Sequence, residues 1–168
     1  MYYINYFFLY SLVGHLMEST LYLFLNTNGK SGYLFGPWTP IYGIGIIVIL
    51  LLEKWIFKHI ATKKYIQLII LFISSAILLS IIEWLGGTSI EFFFDYTCWD
   101  YSNMKLNIGK YVALEISAIW GSLAVIFSLF LKRVSDRIVS QIPKYITYSL
   151  ILIFIMDNIF TIMKKINT

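Results

Sequence analysis

Four acidic residues, Glu18, Glu83, Glu115 and Asp157, lie inside stretches of the chain that are otherwise almost wholly apolar. A charged side chain near mid-bilayer costs about 2.5–3.5 kcal/mol on insertion scales and is kept where something compensates it. Carboxylates that converge in poorly solvated surroundings share protons or hold a cation. His15 stands three positions before Glu18, which puts both on one helix face and makes that face polar. Two readings of His15 stand side by side: a hydrogen bond between helices, or a metal ligand beside oxygen donors, suited to Mg, Mn or Zn. Glu53 differs, because it adjoins Lys54 at the end of an apolar run and reads as a solvated interface residue.

The elements that must position these acids follow from composition. Of 168 residues, 59% are hydrophobic and 13% charged, and the mean hydropathy is +0.76. Values so apolar belong to a membrane protein. Apolar runs at about 3–25, 40–57, 65–86, 111–131 and 145–163 are each long enough to cross about 30 Å of hydrocarbon. The predicted fold is therefore all-α: one membrane domain over 1–168, a bundle of five transmembrane helices. The start MYYINYFFLY has neither a basic leader nor a small-residue cleavage site, so the first run is expected to stay. Cys98 is the single cysteine, which excludes an internal disulfide and a multi-cysteine metal site.

Charge sets the expected direction. The connections KHIATKK and KRVSDRIVSQIPK, with Lys54, hold eight basic residues, against five elsewhere. The positive-inside rule places both connections, and the N-terminus, in the cytoplasm. Lys164 and Lys165 dissent, because five crossings put them outside. With this direction the four acids fall in one layer, roughly 5–10 Å below the outer interface. Clustered basic residues of this kind report topology, and a nucleic-acid partner is not expected.

Above that layer lies the connection containing CWDYSN, residues 98–103. Trp99 and Tyr101 suit an interfacial belt, and Asp100 or Ser102 suits a turn that bonds nearby amides. The other reading is a re-entrant outer loop, EFFFDYTCWDYSN, held in the membrane by Phe92, Phe93 and Phe94 with Asp100 aimed at an outer pocket. In GPWTPIYGIG, Gly36 and Pro37 shape a turn, Pro40 opens a helix, and Gly43 and Gly45 admit a close backbone. Either this segment serves helix packing, or it forms the other wall of the pocket, with the Tyr42 hydroxyl facing WDYS.

Taken in order, YSLVGHLMEST, SGYLFGPWTPIYGIG, the Glu83 and Glu91 pair, WDYS, Asn107 with Gly109, and Gly121 resemble the ABC-transporter type IV family of CmpB-like small membrane proteins. GPWTPIYG and WDYS are the specific elements. The chain departs from the family pattern at Lys30, Ser31 and Gly32, where Asn-Arg-Gly is usual, and at Cys98, where a second Trp is usual. The resemblance implies an integral membrane protein that serves as a transporter component.

The leading functional expectation is a membrane subunit in the plasma membrane that binds a substrate or cation in an outward-facing acidic pocket. Its residues are Glu18, Glu83, Glu91, Asp100, Glu115, Asp157, His15, Tyr42, Trp99, Tyr101 and Asn107. An ATPase would be a separate cytoplasmic subunit, since no complete GxxxxGK[ST] element is present: GKS occurs at 29–31, but Phe24 stands where the first glycine is required. No cofactor is evident in the sequence, which is compatible with a bound cation and with a homo-oligomer. The alternative is an intramembrane enzyme using paired carboxylates as general acid and base on a lipid or isoprenoid-like substrate. A third reading is a structural protein whose polar layer locks the helices together.

Overall fold

The computed structural model describes residues 1–25 and 31–166. The chain is helical almost throughout: α1 (Tyr2–Phe24), α2 (Pro40–His59), α3 (Lys64–Phe94), α4 (Leu114–Ile126), a wide-turn π segment (Phe127–Leu131), α5 (Lys132–Gln141) and α6 (Lys144–Ile166). A two-residue antiparallel pair, β1 (Asn107–Ile108) and β2 (Val112–Ala113), precedes α4. Among the described residues four helical stretches are long and apolar enough to cross a membrane: Pro40–His59, Lys64–Phe94, Leu114–Gln141 and Lys144–Lys165. The first expected span, α1, is 23 residues long yet is not among them, because Tyr2, Tyr3, Asn5, Tyr6, Tyr10, His15, Glu18 and Tyr22 lower its hydropathy.

Two helices run differently from the sequence reading. The third apolar run is expected to end at about 86. The helix continues to Phe94 and closes on Asp95 in the left-handed region, φ 48°. Its 31 residues extend about 46 Å, well beyond the hydrocarbon thickness of about 30 Å. Gly87 serves contact: a Cβ on it would lie 2.4 Å from the Tyr111 ring. EFFF, assigned above to the outer loop, is thus the last turn of α3. The basic connection 132–144, expected to be a loop, is mostly helix. Lys and Arg are good helix formers, no Gly or Pro interrupts before Pro143, and Ser135 and Val139, four apart, are buried on one face.

The chain forms two compact units, Met1–Ile44 with Asp136–Thr168, and Gly45–Ser135. In the first, Phe8, Leu34 and Trp38 form the core, and Phe154 of α6 meets Phe8 and Trp38 edge-on with centroids 5.7 and 6.1 Å apart. Polar contacts fix the other end of α1. Asn5 donates to the Val139 carbonyl at 3.3 Å and accepts from Thr147 at 2.7 Å. The hydroxyls of Tyr2 and Tyr6 donate to Asp136 at 2.6 and 2.8 Å. Only 11% of the most apolar stretch of α6 is buried, which leaves Leu152, Met156 and Phe160 exposed.

In the second unit α3 packs on α4. Gly121 makes that possible, since a Cβ there would lie 2.7 Å from the Phe72 carbonyl oxygen. The hydroxyls of Ser80 and Ser117 meet at 2.5 Å between the two helices.

Candidate functional site

The first unit holds Glu18 and Asp157. Small residues bring α1 against the start of α2: a Cβ on Gly43 would lie 2.6 Å from the Phe7 carbonyl oxygen, and one on Gly14 would lie 2.2 Å from the Tyr42 ring. The Thr39 N–H donates to the Ser11 carbonyl at 3.1 Å across this junction. Glu18, one turn beyond Gly14, accepts a hydrogen bond from Ser31 at 2.8 Å, and Ser31 meets Thr39 at 2.9 Å. A groove of about 550 Å³ runs along this side of α1, lined by Val13, Leu16, Met17, Thr20, Leu21 and Phe24 together with Glu18 and Tyr42. The structure thus joins two of the expected site residues, Glu18 and Tyr42, at one apolar groove, in which Glu18 is the one acid.

Asp157 has a different task. Its Oδ2 accepts the Gly36 N–H at 3.0 Å, tying α6 to the turn in GPWTP, where the Trp38 N–H reaches back to the Gly36 carbonyl at 2.8 Å. Gly36 is required there, because a Cβ would lie 2.9 Å from Asp157 Oδ2. Lys164 and Lys165, the residues that dissent from the charge rule, have aromatic partners on the same connection: Lys165 lies 3.5 Å from the Tyr33 ring centroid and Lys164 4.8 Å from that of Phe35. Cation–π contact compensates both charges locally. Lys30 falls outside the described residues. His15 is half-buried with no hydrogen bond on Nδ1. Among the described residues no group of three or more His, Cys, Asp or Glu side chains comes together to hold a metal.

The second unit holds Glu83, Glu91, Asp100 and Glu115. Glu83 is 4% exposed; its Oε1 accepts from the Tyr101 hydroxyl at 3.2 Å, and Trp120 of α4 faces the same carboxylate. Its Oε2 is buried with no hydrogen bond of its own. Glu115, in the first turn of α4, is similar: Oε1 accepts the Leu106 N–H at 3.3 Å while Oε2 is buried and unbonded. Each acid therefore keeps one oxygen with unused capacity.

WDYS is built as a platform over α3. Trp99 meets the Tyr111 ring edge-on at 6.1 Å and lies 3.8 Å from where a Cβ of Gly86 would be. The Tyr101 N–H donates to the Lys110 carbonyl at 2.8 Å, which aims its hydroxyl down at Glu83. Asp100 is exposed and folds a turn by accepting the Ser102 N–H at 2.8 Å. Those bonds with Ser102 hold its carboxyl below the usual carboxylate range. Glu91 pairs with Lys110 and accepts from the Tyr111 hydroxyl at 2.6 Å, and the Lys110 ammonium also donates to Thr97 at 2.8 Å. The Glu91 bond raises the Lys110 ammonium above its ordinary value. Asn107 donates to the Gly109 carbonyl at 3.1 Å and so shapes the β1–β2 turn, where Gly109 has φ +70°.

One polar centre was misread from sequence. Glu53 is 3% exposed, not solvated. It pairs with Lys132 and accepts from Ser128 at 2.7 Å. Ser128 lies on the π segment and Lys132 directly after it, so the widened turn sets the donors that hold the acid. The adjacent Lys54 concealed the partner, which lies 79 residues away.

No curated protein and no solved structure matches the chain. A family model does, over residues 5–163, nearly the whole length. With four span-capable helices, this makes the chain a transporter-related, multi-pass membrane protein, and it belongs to the family described as "Putative ABC-transporter type IV".

Proposed function

We propose that the protein is a membrane subunit of a transporter that binds a cation, or the cationic group of a substrate, at its intramembrane carboxylates, and that a separate cytoplasmic ATPase powers it. The observation that carries this reading is Glu83, a buried acid on a span-capable helix with an unbonded oxygen. Retaining such a group within a membrane is costly unless it meets an ion or a polar ligand. Glu115 has the same unused capacity on the helix packed against α3. Tyr101 covers Glu83 from the WDYS platform and is the residue a ligand would displace or join. On this reading α1 crosses as a fifth helix, its polar residues turned to protein partners, with the N-terminus in the cytoplasm and WDYS outside.

Thermal unfolding of the purified chain in neutral detergent tests this. Monovalent, divalent and tetraalkylammonium salts are titrated at constant ionic strength. A saturable rise in Tm with one class of cation, absent in Glu83→Gln, supports the proposal. Equal responses of wild type and Glu83→Gln to every salt would reject it.

A further inference from the structure

The groove along α1 has a form that metal-ion binding does not explain. Val13, Met17 and Leu21 make one row at four-residue spacing, and Leu16, Thr20 and Phe24 make the next. From Val13 to Phe24 the rows extend about 16 Å along the helix. The volume of about 550 Å³ falls within the usual range for small-molecule sites, about 300–1,000 Å³. Its walls are apolar along their length, and among the described residues that line it Glu18 is the single charge, with Tyr42 on the same lining.

Glu18 is the one formally charged side chain of α1. Its Oε2 is held by Ser31, while Oε1 makes no hydrogen bond among the described residues. An acid on an open apolar groove of a membrane protein calls for a counter-charge that brings its own apolar body. A carboxylate with no second acid beside it among the described residues, in a groove that an aromatic ring also lines, fits an ammonium group better than a divalent metal, which needs several oxygen ligands.

We propose that this groove binds a long-chain amphiphile with an ammonium head, its chain along the Val13 and Leu16 rows and its head on Glu18. This names the class of substrate for the function proposed above, and rests on that reading for the placement of α1 in the bilayer.

Saturable binding of radiolabelled dodecylamine and dodecanol to the full chain in maltoside micelles tests the assignment, because the two share a chain and differ in head charge. The amine is expected to bind at least about tenfold more tightly, about 1.4 kcal/mol. Glu18→Gln should erase that preference and leave the alcohol unchanged, while Leu21→Trp, which fills the groove, should weaken both. Equal affinities in the wild type, or a preference that survives Glu18→Gln, would overturn the proposal. So would an amine affinity untouched by Leu21→Trp when the same variant dissociates an oligomer, since a second copy would then occupy the groove. Glu83→Gln separates the two proposals: amine binding that persists without any cation effect at Glu83 upholds the groove alone, and the reverse pattern upholds the cation site alone.

Discussion

Lys132, the first residue of α5, reaches back to the buried carboxylate of Glu53 on α2, which Ser128 of the π segment also holds at 2.7 Å. The pair joins two span-capable helices inside one unit. Breaking a buried pair from one side strands a charge and costs about 3–5 kcal/mol. Lys132 is itself about a third exposed, which lowers the expected loss for Lys132→Ala to about 1–3 kcal/mol. Equilibrium unfolding in mixed micelles should show that loss, and the double change Glu53→Leu with Lys132→Met should recover most of it. A double variant as unstable as Lys132→Ala would mean that the pair is not what holds these helices.

Gly43 and Gly45 were both expected to admit a close backbone, and the structure separates them. A Cβ on Gly43 would lie 2.3 Å from the Ser11 hydroxyl and 2.6 Å from the Phe7 carbonyl, whereas one on Gly45 would meet Leu79 and Trp120 side chains at 3.6 and 3.9 Å. Gly43→Ala should therefore destabilise by about 1–3 kcal/mol through overpacking. Gly45→Ala, in ordinary contact distance within a helix, should be neutral or stabilising by up to about 1 kcal/mol. Thermal unfolding of the two single variants checks the contrast.

The connection between α3 and α4 should have a wide pH plateau. The depressed Asp100 value means that its turn is favoured above the unfolded carboxylate range and weakens as pH falls through it. The raised Lys110 value has the opposite sign: its contribution is complete below the ordinary lysine range and is lost as pH rises past it. Loop structure should thus hold from about pH 5 to about pH 10 and loosen on either side. Tryptophan emission, compared with a Trp99→Phe variant to isolate that residue, reads the loop. Asp100→Asn should reduce the acid limb and leave the alkaline one unchanged, the remaining acid loss belonging to the Glu91–Lys110 pair. An emission change centred near neutrality would contradict this assignment of charges.

Much of the architecture was legible because apolar run length and charge asymmetry are strong signals. The runs beginning at 40, 65 and 145 match helices that begin within a residue or so of those positions. The failures have local causes. The apolar run stops near 86, but the helix continues to Phe94, with Gly86 and Gly87 the seat of Trp99 and Tyr111, contacts distant in sequence. KRVSDRIVSQ looks like a loop because it is short of apolar residues, although Ser135 and Val139 give it an inward face. Glu53 looked solvated because its partners lie far along the chain. In the candidate site, apolar context singles out Glu83 and the WDYS run singles out Tyr101, yet their bond depends on the β1–β2 turn, whose Asn107 and Gly109 show in the sequence without the pairing they set.

The most direct test of the central claim is the stoichiometry of cation binding by equilibrium dialysis, comparing wild type with Glu83→Gln and with Glu53→Gln. Whichever cation raises Tm should bind saturably to the wild type. That binding should vanish in Glu83→Gln and persist in Glu53→Gln, whose carboxylate already has Lys132 and Ser128. Binding that survives Glu83→Gln, or fails equally in both variants, would contradict the claim that Glu83 is the ion-binding carboxylate.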